Sequence, residues 1–190
     1  MEAIVLDINK RYTYADYLTW ADDKLRELID GFVRMMSAPG TRHQKTSMSI
    51  SANLYNFIKK NKGNCEVFHA PFDVRLPKNG ETEDDQIYTV VQPDICVVCD
   101  SAKIDERGCI GAPDLVIEIQ SLSTTRYDLT KKFDLYEASG VREYWVVYPF
   151  GVDVFILQPD GKYDEGTKYE KGKIPVHIFD GREIEVTDIY

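Results

Sequence analysis

No apolar run in this 190-residue chain is long enough to cross a bilayer, and the opening MEAIVLDINKRY lacks the basic-then-apolar order of a signal peptide. A cytoplasmic setting is therefore expected. Internal repeats and low-complexity tracts are also missing, which argues against solenoids and linker-like chains. Cysteine is scarce: Cys65, Cys96, Cys99 and Cys109 are irregularly spaced. Cys96 and Cys99 make a CxxC, but inside the apparent strand ICVVC, where residues three apart face opposite sides. A shared metal is not expected there, and buried reduced thiols are. An excess of positive charge is lacking too. With 23 Lys and Arg against 32 Asp and Glu, the net charge of −9 disfavours indiscriminate nucleic-acid binding.

What is present suits an ordinary globular protein. The chain is 43% apolar and 29% charged, and residues 1–190 are the right length for a single domain with its own core. The charge is segregated. Arg42, Lys45, Lys59, Lys60 and Lys62 fall in a stretch without an acid, whereas Glu81, Glu83, Asp84 and Asp85 crowd a polar loop over 77–89 that is expected to be mobile.

Thr13 can cap a short helix over 14–20. LRELIDGFVRMM reads as a hairpin turning at Asp30-Gly31. In HQKTSMSISANLYNFIKKNKG, Met48, Ser51/Ala52, Tyr55 and Ile58 recur at helical spacing, with Gly63 as the stop. CEVFHAPFDVRL and DICVVCD read as strands. STTRYDLTKKFDLYEASG is a helix capped by Ser123 or Thr124 and ended by Gly140. EYWVVYP is another buried strand, DVFILQPDGKYDEGTKYEKG has hairpin character, and EIEVTDIY closes the chain. The expected fold is α/β with a mixed central β-sheet flanked by helices.

The strand PDLVIEIQS carries the chemistry. Leu115, Ile117 and Ile119 share one apolar face, which leaves Asp114, Val116, Glu118 and Gln120 on the other. A carboxylate in mid-strand is costly to bury unpartnered. Pro93-Asp94 opens one strand and Pro113-Asp114 another. If those strands pair in register, Asp94 and Glu118 converge, and with the Ile119 carbonyl between them they make a hard-oxygen site for Mg²⁺ or Mn²⁺. Lys132 shares a helix face with Leu129 and Tyr136 and could bring a cation to that site; its bland alternative is a surface pair with Asp128. Asp114 can equally be a strand-opening acceptor, and His69 a satisfied sheet histidine.

At these residues, VVQPDICVVCD, GAPDLVIEIQSLST and YDLTKKFDLYEASGVREYWVVYP, the chain resembles the Uma-type restriction endonuclease family of the PD-(D/E)XK nuclease fold. LRELIDGFV, APGTRHQ and VFHAPFDVRL extend the likeness to the N-terminal half. The resemblance implies a restriction-endonuclease-like core, a single nuclease-like domain, and Asp94 and Glu118 as metal ligands. It implies Gln120 where the usual lysine would stand, a migrated Lys132, and an assisting Glu27; His43 also matches a family position.

The expected activity is Mg²⁺- or Mn²⁺-dependent hydrolysis of DNA phosphodiesters, with Arg42, His43, Lys45, Lys59 and Lys60 on the phosphate backbone. Two alternatives stand beside it. One is a binding or assembly module without turnover, with Phe155, Tyr163 and Tyr169 on a dimer surface. The other is a hydrolase of another phosphate ester, with the 42–62 segment far from the carboxylates. A homodimer would suit double-strand cutting.

Overall fold

The computed structural model describes residues 4–22, 24–120 and 126–189, and side chains in the last stretch from Thr130 onward. Thr13 caps the single turn α1 (Tyr14–Tyr17) through reciprocal bonds with Asp16. β1 (Arg26–Ile29) and β2 (Phe32–Met35) form the expected hairpin, with Asp30 and Gly31 at φ 54° and 84°. α2 (Thr41–Lys60) is the long helix. There follow β3 (Glu66–His69), β4 (Asp73–Arg75), β5 (Val90–Val91), β6 (Ile95–Val98), β7 (Ile104–Asp105), β8 (Gly108–Ile110) and β9 (Leu115–Ile119). Next come α3 (Arg126–Ser139), β10 (Glu143–Tyr148), β11 (Gly151–Ile156), β12 (Thr167–Glu170), β13 (Gly172–Val176) and β14 (Arg182–Val186).

These elements make the expected mixed α/β fold, but with two six-stranded sheets. One is ordered β2-β1-β5-β4-β8-β7 and the other β12-β11-β10-β9-β6-β3, with β13-β14 as a separate ribbon. In the second sheet β9 runs antiparallel to β6 and parallel to β10, so α3 is the crossover between β9 and β10. The alternation read in PDLVIEIQS holds. Leu115, Ile117 and Ile119 join Ile50, Leu54 and Ile58 of α2 in one core, and Val116 joins Tyr136 of α3 in the core on the opposite face. The site residues lie between these layers, at the strand ends.

Several expectations need correction. CEVFHAPFDVRL is two strands in different sheets, parted at Ala70-Pro71, where proline has no N–H to continue a ladder. On α2 the buried stripe is Thr46, Ile50, Leu54 and Ile58, while Met48 and Tyr55 are exposed. Met48 and Tyr55 fit a helical period as well as the true stripe does, so periodicity alone could not choose the face. The 77–89 loop is partly pinned: Ala15 donates to Asp84, Tyr14 donates to Ile87, and Ile87 is fully buried. Phe155 and Tyr163 do not form a free dimer surface. They pack with Phe133 and Tyr144 inside the molecule, the Phe133–Phe155 centroids 5.0 Å apart, and Tyr169 lies against the main core.

The cysteines are not all reduced. β3 pairs with β6 so that Glu66 faces Val98, which sets Cys65 opposite Cys99, and these two form a disulfide. Cys96 points into the other core as a buried thiol, as does Cys109, so the CxxC is indeed split between faces. The proposed caps Ser123 and Thr124, and the side chains of Asp128 and Leu129, lie outside the described residues.

Candidate active site

The β6–β9 register pairs Ile95 with Ile117, so one step on Asp94 stands opposite Glu118 on the same face. Asp94 closes the end of the strand pair: its Oδ2 accepts the Ile119 N–H at 2.7 Å and meets His43 Nε2 at 3.0 Å. His43 reaches it from the first turn of α2.

Lys132 comes from α3. Its Nζ donates to Glu118 Oε1 at 2.9 Å and to Glu27 Oε1 at 3.0 Å. Tyr136, one helical turn later, donates its hydroxyl to the same Glu118 Oε1 at 2.6 Å. Glu27, on β1 of the other sheet, also accepts the Gln92 N–H at 3.0 Å. Gln92 in turn bridges Asp73 and the Tyr17 hydroxyl through Nε2. Both sheets, α2 and α3 therefore meet at this point. Glu27 and Glu118 are buried, at 4% and 8% exposure.

Such burial must be balanced. Three carboxylates, Glu27, Asp94 and Glu118, face Lys132 and His43. Burial pushes Glu118 up, to about 7; Asp94 and Glu27 add to the rise, and Lys132 and the Tyr136 hydrogen bond oppose it. Burial pulls Lys132 down, but the Glu118 and Glu27 charges outweigh it and hold the ammonium above its ordinary pKa. The hydrogen bond to Asp94 raises His43 against its burial, helped by the Asp94 and Glu118 charges and the Ile119 backbone. Lys132 is therefore a fixed cation and not a base.

The donors fit a hard divalent ion. The Asp94 and Glu118 carboxylates lie together with no thiolate between them, an all-oxygen pair of the kind such an ion takes. Among the described residues no three His, Cys, Asp or Glu side chains form a finished metal cage. An open two-carboxylate site suits Mg²⁺, which usually keeps several of its waters.

Asp94, Glu118, Lys132, Glu27 and His43 are brought together, then, and Glu27 is buried where a hairpin position usually means solvation. Gln120 directly follows β9, with its N–H on the Val147 carbonyl at 2.7 Å, and the residue is partly buried. Arg42 and Lys45 are exposed beside His43. Lys59 and Lys60 are not near: sixteen residues of helix separate His43 from Lys59, about 24 Å. They sit in the last turn of α2, where the helix dipole favours cations. Asp114 is structural, with Oδ2 on the Cys99 N–H and Oδ1 on Arg142. His69 Nδ1 meets the Ala70 carbonyl and stays exposed. Tyr136 and Gln92 were missed as site residues. The i, i+4 spacing from Lys132 could have signalled Tyr136; Gln92 acts through its backbone, for which sequence carries no mark.

Comparisons with known proteins bear on the fold and the family. A solved structure described as a putative nuclease of the DUF820 group, from Anabaena variabilis, has a TM-score of 0.65 at 20% identity, covering 87% of this chain and 88% of that one. The likeness shows a shared fold. An uncharacterized protein of Synechocystis, slr1290, is 27% identical over 154 residues, 80% of this chain and 74% of that protein. The model of the Uma2 family, described as "putative restriction endonuclease", matches residues 14–186, nearly the whole length over which the two sheets, α2 and α3 assemble the site. On that match the chain belongs to the Uma2 family.

Proposed function

We propose that the protein is a Mg²⁺- or Mn²⁺-dependent nuclease that hydrolyses phosphodiester bonds of DNA. The observation that carries this reading is the half-buried Lys132 ammonium, held between Glu118 and Glu27, with Asp94 facing Glu118. Asp94, Glu118 and the Ile119 carbonyl would hold the ion, which when bound supplies Lewis-acid polarisation of the phosphodiester. Lys132 orients the attacking water and stabilises the negative charge that builds on the phosphoryl oxygens. Glu27 fixes Lys132 in place, and Gln120 offers a hydrogen bond to the water or the phosphate.

Arg42, His43 and Lys45 sit where a helix N-terminus meets the carboxylates, which suits backbone phosphates. Because α2 starts at the site, the geometry favours a nucleic acid over a small phosphate ester. Lys59 and Lys60, about 24 Å farther along α2, would meet a duplex less than one helical turn away along its axis. Cutting both strands with one site per subunit would need a homodimer, which sedimentation can test.

The direct test pairs Mn²⁺ calorimetry with cleavage of supercoiled plasmid at low salt. Asp94→Asn and Glu118→Gln should each bind Mn²⁺ far more weakly than wild type, with a residual affinity carried by the remaining carboxylate. Lys132→Gln should bind Mn²⁺ and fail to cut. Absence of Mn²⁺ binding and cleavage in the wild type, or undiminished cutting by Lys132→Gln, refutes the reading.

A further inference from the structure

Tyr136 has a hydroxyl that its packing does not require. The residue is fully buried on α3, its ring tilted against Tyr144 with centroids 5.2 Å apart. Phenylalanine would fill the same space. A buried phenol needs a partner, and the one this hydroxyl has is Glu118 Oε1, at 2.6 Å. Lys132 Nζ takes the same oxygen at 2.9 Å. Two donors thus converge on Oε1, and among the described residues no hydrogen bond reaches Oε2.

We infer that Tyr136 is a positioning residue: with Lys132 it commits Glu118 Oε1 to the protein, fixes the carboxylate plane, and leaves Oε2 as the oxygen presented to a divalent cation. The inference rests on the metal-dependent reading above. Tyr136 itself touches neither the ion nor the substrate. Its effect passes through the orientation of Glu118, as partners behind a metal ligand commonly act. The rigidity comes from the fold. Tyr136 lies one turn from Lys132 on a helix packed against β9, so one element sets where both donors start from.

The experiment is Mn²⁺ calorimetry on wild type, Tyr136→Phe, Glu118→Gln and the double variant, each with a melting curve. Tyr136→Phe should weaken Mn²⁺ binding by about 10- to 100-fold. In a Glu118→Gln background the same change should have no further effect on whatever Mn²⁺ binding remains, a non-additivity that a merely structural role would not produce. If wild type binds Mn²⁺ and Tyr136→Phe binds it equally well, this inference is overturned and the nuclease reading stands. If wild type does not bind Mn²⁺, both fall. Equal losses from Tyr136→Phe with and without Glu118 would also overturn the inference.

Discussion

Removing Lys132 should cost more stability than removing the carboxylate it serves. Lys132 is the shared cation of Glu27 and Glu118, whose side chains are 5% and 11% exposed against its own 17%. Lys132→Ala leaves two buried carboxylates facing each other with Asp94 nearby. Breaking a buried pair in this way costs about 3–5 kcal/mol, a large share of the roughly 5–15 kcal/mol that holds a domain together. For a chain of this size that lowers the melting temperature by about 6–20 °C. Glu118→Gln behaves differently. It removes one negative charge, leaves Lys132 paired with Glu27, and relieves a carboxylate whose pKa burial has already raised, so it should melt within about 3 °C of wild type. Acid should narrow the Lys132→Ala deficit, because Glu118 takes up a proton. Mn²⁺ should narrow it too, by supplying the missing positive charge. The assay is thermal unfolding by circular dichroism near neutral pH and at about pH 5, with and without Mn²⁺. A Lys132→Ala protein that melts with wild type, or above Glu118→Gln, would refute the argument.

Stability should fall as pH rises through neutrality in the metal-free protein. Glu118 and His43 both hold a proton more tightly folded than unfolded, between 4.5 and about 7 for Glu118 and from 6.5 upward for His43, so the folded state loses ground over that range. His43→Gln should flatten its upper part; a melting temperature that climbs from about pH 6 to 8 would contradict the sign. Reducing the Cys65–Cys99 bond, or Cys65→Ser, should cost about 4 kcal/mol, the chain-entropy value for a loop of 34 residues, and denaturant curves that coincide with and without reductant would exclude it. Gly108→Ala should lose at least about 2 kcal/mol, since φ is 138° and a Cβ would lie 2.0 Å from the Asp73 carbonyl oxygen; an unchanged denaturation midpoint would show that the strand can move aside.

Local chemistry wrote much of this protein into its sequence. Alternation made Glu118 the odd residue in an apolar strand, Asp30-Gly31 specified a hairpin, Thr13 marked the start of α1, and Gly63 and Gly140 marked the ends of α2 and α3 to within a few residues. Lys132 could be assigned to the site because helical spacing ties it to Tyr136, and the family motifs carried Glu27 and His43 along. Other features depend on long-range register, for which a single sequence has no period. The pairing of Ile95 with Ile117 brings Asp94 to Glu118, and that of Glu66 with Val98 puts Cys65 against Cys99. Which face of α2 is buried followed from the sheet it lands on, because Met48 and Tyr55 repeat as regularly as Ile50 and Leu54. The division into two sheets turns on Ala70-Pro71, which reads locally as a mere interruption. Only the tertiary structure sets Glu27 from one sheet and Glu118 from the other on a single ammonium. The energy of that arrangement lies in burying three charges together, and no segment of the chain can express it alone.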